Sequence, residues 1–449
     1  MTTLNNHFNS TIKPMIKANS KLVLALSGGV DSRVLLELLS DYKNENPHIE
    51  CLAVHVHHGL SDNAETWAKS CQRWCAEREV PFVLERVQLE RKTRTSLEEQ
   101  ARNARYMALS KHLTPDDLLL VGQHLDDQLE TFLLALKRGS GPKGLSAMAQ
   151  VKAFGHANLV RPLLEVRRAD IEFFAQSREL DWVEDESNQD TRFDRNFIRH
   201  QITPVLTERW PNFPQSVSRS AQLCAEQELL LEELLMPIYH SSLHSDGSLL
   251  LNQLDTFSRL KLNHIIRMWF AGLGAAMPSR SQLNKIYQEV IHATQDANPK
   301  LLVQGREVRR FEQRLYLVPQ YKDVGQWQGN LTLGETLVLP DGLGAISMFC
   351  AKQVNLADDE DDGVVLHYCT LPDTDISVKV GFEPQGLSAA PQGRSGSRKL
   401  KKLFQEYSVP SWLRRRTPIL KYNENVLAVT GLFVSKHYLG QEIVLIWRR

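Results

Sequence analysis

The chain has 449 residues, 42% of them hydrophobic and 24% charged, the make-up of an ordinary globular protein with apolar material for about two to four domains. No run of about 18 apolar residues marks a membrane-spanning helix, MTTLNNHFNS lacks a basic-then-apolar leader, and six scattered cysteines form no disulfide framework, so a cytoplasmic setting with no membrane partner is expected. Lys plus Arg and Asp plus Glu are 53 each, which does not exclude a polyanionic partner, because binding follows the local field rather than the sum.

From residue 20 to about 200, short apolar runs alternate with helical patterns. LVLAL, CLAVHV, FVLERV and LLLVG each precede a helix-like segment, the rhythm of a parallel sheet with helices on its faces. The first run enters SGGVDS. A strand that ends in Ser27-Gly28-Gly29 and continues through Val30-Asp31-Ser32 into a helix sets backbone N–H groups around a small cavity. Glycine permits positive φ and close ligand approach, and the helix N-terminus adds free donors and partial positive charge. The result is a cradle for phosphate or pyrophosphate, with further donors in the Ser27 and Ser32 hydroxyls. Asp31 belongs beside such an anion when Mg²⁺ bridges the two. Helix capping alone would explain Ser and Asp but not the two glycines, and the Lys of a Walker loop is absent.

Further along, SLEEQARNARY opens with Ser96 and Glu99 as a capping-box pair and places Arg102 and Arg105 on one helical face. Two guanidiniums so spaced suit phosphate; the other reading is surface pairing such as Glu98 with Arg102. In GQHLDDQLETFLLALKRGSGPKGLSAM, the spacing of Leu129, Phe132, Leu133 and Leu136 predicts a helix packed on the sheet. His124, Asp127 and Glu130 then cluster at the carboxyl end of a parallel strand, where open α/β sheets bind ligands. They offer a metal contact, a base or a counter-charge for an amine; alternatively Asp126 and Asp127 only complement the helix dipole. DESNQDTRFDRNFIRHQITP carries Arg192, Arg195 and Arg199 as a basic stripe, either a solvated face or a phosphate contact.

From about 205 to 320 the pattern turns mainly helical, ending in a hairpin-like GREVRRFEQRLYLVP. Residues 326–375 read as short strands, with DDEDD at 358–362 as a solvated loop. The last 75 residues mix strands with one basic helix. Residues 394–416 hold eight Lys or Arg against one Glu. There Arg398, Lys401, Lys402, Arg414 and Arg415 suit RNA phosphates, and Phe404, Tyr407 and Trp412 suit exposed bases; the alternative is an amphipathic helix with its aromatics in a core. The expected division is 1–205 catalytic α/β, 206–325 mainly helical and substrate-binding, 326–375 strand-rich connection, and 376–449 a small α+β RNA-binding domain.

SGGVDS resembles the pyrophosphate loop of the N-type ATP pyrophosphatases, Rossmann-like enzymes that adenylate a carbonyl and release pyrophosphate. With HVHHGLS, EEQARNARY, HLDDQLET, RGSGPKGL, RPLL and DESNQDTRFDRNFIRH following in order, residues 20–204 resemble the tRNA(Ile)-lysidine synthetase family. LKKLFQEYSVPSWLRRRTPIL, residues 400–420, resembles that family's C-terminal domain more weakly. The family usually has Asn where His57 stands, a basic residue at Ser61, and often His or a similar residue at Gln123. The resemblance implies a two-step reaction with ATP and Mg²⁺ as cofactors and two further partners, the CAU-anticodon tRNA(Ile) and free L-lysine. The wobble cytidine is adenylated on its ring carbonyl, and the lysine side-chain amine displaces AMP at C2, giving lysidine and changing decoding from Met to Ile. Asp31 would meet Mg²⁺, and Asp127 and Glu130 would hold or deprotonate the amine.

Rival classes read less well. Thiolation needs a sulfur-carrying thiol or cluster cysteines, and Cys71 and Cys75, spaced C-x3-C beside Trp67 and Trp74, read as core. An amidotransferase needs a glutaminase module, which is missing. A non-enzymatic tRNA-binding module has no use for an intact Ser27, Asp31 and Ser32. A zinc site at His55, His57 and His58 lacks further ligands at suitable spacing.

Overall fold

The computed structural model describes residues 4–59, 61, 63–88, 97–254, 256–294, 297–353, 364–372, 377–394 and 396–448. The Ser96–Glu99 capping box and the acidic block at 358–362 lie outside the described residues. The chain divides into two compact units, residues 1–234 and 235–449. Among the described residues no helix is long and apolar enough to cross a membrane.

The first unit is built on six strands: β1 (Leu22–Ala25), β2 (Cys51–His57), β3 (Phe82–Arg86), β4 (Leu118–Leu120), β5 (Val151–Phe154) and β6 (Ala157–Val160). Their order is β3-β2-β1-β4-β6-β5, with β5 antiparallel and every other pairing parallel. The central strands are apolar throughout because both faces are covered. Leu22, Leu24, Leu118 and Leu120 point into one core with Trp74 and Ile171, while Val23, Val54, Leu119 and Leu159 point into the other. That alternation is the period-two geometry of a strand.

Helices α1 (Leu4–Ile12), α2 (Val30–Glu45), α3 (Ala64–Glu77), α4 (Leu97–Ser110), α5 (Leu125–Lys137), α6 (Pro142–Leu145) and α7 (Arg168–Ser177) connect or cover these strands. Of the expected apolar stripe on α5, Leu129 is fully buried, whereas Leu136 is 54% exposed. Successive strands β1, β2 and β3 step outward on one side, and β4 returns to the other side of β1. The gap between the carboxyl ends of β1 and β4 is therefore the topological switch point of the sheet, the usual ligand crevice of an open α/β fold. A short helix, α8 (Asp194–Phe197), a π-helical turn (Ile198–Ile202), α9 (Thr203–Arg209) and α10 (Phe213–Ser242) follow.

The second unit corrects the expectation of a mainly helical region. Helices Arg259–Gly272 and Arg280–Lys285 are present, but they pack with a four-stranded antiparallel sheet formed by Leu249–Leu250, Arg314–Pro319, Arg306–Phe311 and Lys300–Val303. Their common core includes Trp269, Phe270, Val308 and Leu315. Beyond it the chain is mostly antiparallel β. One five-stranded sheet pairs Gln328–Thr332 with Ser377–Gly381 and continues through Ile419–Tyr422. In a four-stranded sheet, Ile443–Arg448 lies between Ala345–Cys350 and Val364–Cys369. Strands from 326–375 thus share sheets with strands from the last 75 residues. Ile443 to Trp447 are all buried, as a central strand requires.

Candidate active site

The cradle forms where β1 meets α2, and its serines shape it from within. Ser32 Oγ accepts from the Ser27 N–H at 3.2 Å and the Gly28 N–H at 3.0 Å, and donates to Gly29 O at 3.0 Å. Ser27 Oγ lies 3.0 Å from it. Ser32 therefore holds the bend closed, a structural task beyond the ligand contact expected of it. The first amides of α2 have no intrahelical acceptor and are left free, since no side chain caps this helix.

Gly28 has φ +98°, and a Cβ there would come within 2.7 Å of Val183 Cγ2. Val183 N–H also donates to Gly28 O at 3.0 Å, so the 183 segment holds the bend from outside. Gly28→Ala is expected to cost roughly 1–3 kcal/mol of local strain and to weaken ATP binding at least about tenfold by calorimetry. Wild-type affinity in this variant would show that the bend needs no glycine.

Opposite the cradle stands the turn after β4. A Cβ at Gly122 would lie 3.1 Å from Asp31 Cβ and 3.2 Å from Ser32 N, so a side chain there would crowd the close approach of the two segments. His124 immediately precedes α5 as its N-cap and is 3% exposed. Its backbone N–H donates to Asp127 Oδ2 at 3.2 Å. Its ring lies among three carboxylates, with Nε2 3.7 Å from Asp31 and 3.5 Å from Asp127, and Nδ1 3.6 Å from Asp126. Burial works against the imidazolium, but Asp127, Asp126 and Asp31 outweigh it and raise the His124 pKa.

For Asp31 the balance is reversed. Burial raises its pKa more than His124 and Arg168 lower it. Its Oδ2 accepts from Arg168 Nη1 at 2.6 Å, while Oδ1 is buried without a hydrogen-bond partner. Arg168 begins α7, and its backbone N–H donates to Asp126 Oδ2 at 2.8 Å. Sequence reasoning assigned this arginine no role, although it follows closely after the RPLL stretch. A helix-initial Arg has no spacing relation to Asp31, so only the fold brings them together.

Asp127 and Glu130 do share a face of α5, but both are engaged. Glu130 is 1% exposed. It accepts from Arg195 Nε at 2.7 Å and from Arg199 Nε and Nη2 at 2.6 and 3.0 Å. Asp127 Oδ1 receives Arg199 Nη2 at 3.2 Å. The expected stripe divides accordingly: Arg195 and Arg199 turn inward to α5, whereas Arg192 lies before α8 and pairs with Asp190 at 2.6 Å. Arg102 and Arg105 stay exposed on α4, with Arg102 5.3 Å from the Tyr106 ring centroid.

His55 is buried, with Nδ1 2.8 Å from Leu26 O. His57 Nε2 lies 3.6 Å from Glu65. Cys71 and Cys75 are buried core residues whose thiols burial pushes up to about 12.

In the basic C-terminal stretch, the structure sorts the cations. Lys401 and Lys402 are exposed on the helix Leu400–Glu406. Arg398 pairs with Glu406 at 2.8 Å, Arg415 with Glu383 at 2.7 Å, and Arg414 Nε donates to Val409 O at 2.9 Å. The aromatic residues divide as well. Phe404 is buried, Tyr407 stacks on Phe433 at 5.5 Å, and Trp412 packs 5.2 Å from Tyr316 and 6.1 Å from Phe311. Only Phe404 fills core; Tyr407 is 39% exposed and Trp412 half-buried.

Comparison with known proteins agrees with the geometry of the first unit. Residues 1–206 match the model of a PP-loop domain, 249–316 that of a TilS substrate binding domain, and 378–447 that of a TilS substrate C-terminal domain. The chain is 53% identical over 449 residues to the tRNA(Ile)-lysidine synthase of Vibrio vulnificus (strain YJ016), covering 100% of each. It is 51% identical over 461 residues to that of Vibrio atlanticus (strain LGP32), again covering 100% of each. For that of Photobacterium profundum the identity is 48% over 444 residues, covering 99% of each.

Proposed function

The chain belongs to the tRNA(Ile)-lysidine synthase family, and from that premise we propose how its own residues perform the family's reaction. Its activity is that of an ATP-dependent tRNA(Ile)-lysidine synthase, a ligase acting on tRNA. The observation that carries the detailed reading is the meeting of the Ser27–Ser32 cradle with the His124–Asp127 turn at the β1/β4 switch point.

ATP lies with its pyrophosphate on the free amides of α2, where oriented donors meet charge that grows as pyrophosphate leaves. Mg²⁺ fits the residues present: Asp31 Oδ1 is buried and unpartnered, and this ion takes one or two carboxylates with phosphate oxygens and water completing its shell. When bound, it would neutralise charge on the phosphates. Arg168 balances Asp31 from the other side.

The wobble cytidine of the CAU anticodon presents its ring carbonyl oxygen to the α-phosphate, and the oxygen leaves with AMP when the side-chain amine of free L-lysine attacks C2. Asp127, with 14% side-chain exposure, is the carboxylate that the lysine ammonium can reach. Glu130 orders Arg195 and Arg199 around it. His124, whose pKa Asp127, Asp126 and Asp31 raise against burial, offsets the local negative charge when protonated. Residues 1–205 carry this chemistry, and 206–325 and 376–449 bind the tRNA, with the strands of 326–375 built into the sheets of the last segment. Lys401, Lys402 and Arg414 face RNA phosphates; Arg398 and Arg415 do so once released from their acids.

The test is to incubate the protein with ATP, Mg²⁺, bulk tRNA and each labelled amino acid in turn. Label from lysine alone is expected in RNA. Entry of another amino acid, or of none, would refute the assignment.

A further inference from the structure

Three arginines are buried among the described residues: Arg33, Arg161 and Arg416. Arg33 pairs with Glu37, and Arg416 with Asp341 at 2.7 Å. Arg161 has no carboxylate. It follows β6 and is 5% exposed. Its Nε donates to Gln123 Oε1 and its Nη1 to Ala149 O at 2.6 Å. Both acceptors are neutral, and Nη2 makes no hydrogen bond to a described residue while remaining in reach of solvent. Burial, and after it the nearby Arg102, holds this guanidinium below its ordinary range, against an opposing effect of Tyr106. A buried charge without a counter-ion is costly and is retained where something else supplies the opposite charge.

Position narrows the choice of anion. β6 is next to β4, and β4 is next to β1. Arg161 therefore lies two strand spacings, about 10 Å, from the cradle. That is beyond a pyrophosphate gripped at the loop, yet close enough for the chain that delivers the nucleobase. Gln123, which holds Arg161, belongs to the same turn as Gly122 and His124. We propose that Arg161, braced by Gln123 and Ala149 and flanked by exposed Arg102, is a phosphate subsite for the RNA backbone beside the wobble nucleotide. This rests on the tRNA ligase reading and adds a residue that positions the RNA for it. A planar guanidinium with one free N–H edge suits a phosphodiester oxygen.

The experiment uses the full chain with Arg161→Gln, Arg161→Lys and Arg102→Gln. tRNA affinity is measured by filter binding over a salt series, ATP affinity by calorimetry without RNA, and the KM for lysine by turnover. Each phosphate contact contributes about 0.7–0.9 to the slope of log affinity against log salt. Arg161→Gln and Arg102→Gln are each expected to lower the slope by about that amount and to weaken tRNA binding about tenfold. Arg161→Lys should keep the slope, and ATP affinity should stay at wild type throughout. Arg102→Gln changes an exposed side chain, so a lowered slope there stands even if Arg161→Gln folds poorly. An unchanged slope in both Gln variants overturns the proposal. So does a loss confined to ATP affinity, which would make the anion the nucleotide's own phosphate, or a rise confined to the lysine KM. Wild-type pyrophosphate release is read in parallel: its absence would defeat the enzymatic reading itself, whereas an active wild type with an indifferent Arg161 defeats only the subsite.

Discussion

Asp31→Asn is expected to slow tRNA-dependent pyrophosphate release by at least about 100-fold, the loss typical when one preorganised electrostatic element is removed from a reacting centre. The fold should survive. Asp31 is a half-buried carboxyl whose pKa is raised above 3.8, first by desolvation and against the pull of His124 and Arg168. A raised carboxyl pKa means that the folded state prefers the protonated form, so the penalty of ionisation is absent below about 3.8 and grows as pH rises through the folded value. Asparagine resembles the protonated form. The variant should therefore melt at the wild-type temperature or above it at neutral pH, with the difference vanishing in acid. A neutral side chain also offers less to a divalent cation, which is why activity and stability should part. A variant that loses stability and activity together would instead make Asp31 a structural partner of Arg168.

Glu130→Ala is expected to do the opposite, damaging the fold before the chemistry. Glu130 has 1% side-chain exposure and receives two arginines whose side chains are 35% and 33% exposed. Removing one partner of a buried ion pair costs about 3–5 kcal/mol, and the half-exposed arginines place this pair near the lower end, about 3 kcal/mol, because water rescues part of their charge. For a unit of this size that corresponds to a melting shift of roughly 6–12 °C. The segment carrying α8 and the π-helical turn should lose its hold on α5, and lysine-dependent turnover should fall with it. Thermal melting and lysine kinetics together decide the matter. Unchanged melting with a raised lysine KM would mean that Glu130 touches the amine directly, as its spacing from Asp127 first suggested.

The parts of the fold legible in the sequence were those set by local rules. A central parallel strand buried on both faces is apolar at every position, so LVLAL and LLLVG stand out, and a positive-φ glycine before a helix start marks the cradle. What escaped were relations made by tertiary contact. Arg192, Arg195 and Arg199 look like one stripe on a continuous helix, but α8 begins only at Asp194, so the first of them is off the helix and the other two face Glu130. Arg161 and Arg168 stand at the two ends of the single connection from β6 to α7, yet meet different partners, Gln123 and Asp31. In the second unit, strands such as Thr336–Val338 are three residues long, and Val338 is 74% exposed. Short, half-exposed strands carry little periodicity, whereas the amphipathic Arg259–Gly272 helix dominates the pattern around it. Phe404 reads equally as a base-stacking or a core residue until its burial beside Leu400 and Leu403 is seen.

The central claim is that the Ser27–Ser32 cradle delivers AMP to the RNA before lysine takes part. It is tested most directly by supplying ATP labelled at the α-phosphate, Mg²⁺ and tRNA in the absence of lysine. The account expects pyrophosphate release and label attached to the tRNA, discharged as AMP when lysine is added. No label on the RNA, and no pyrophosphate until lysine is present, would contradict it.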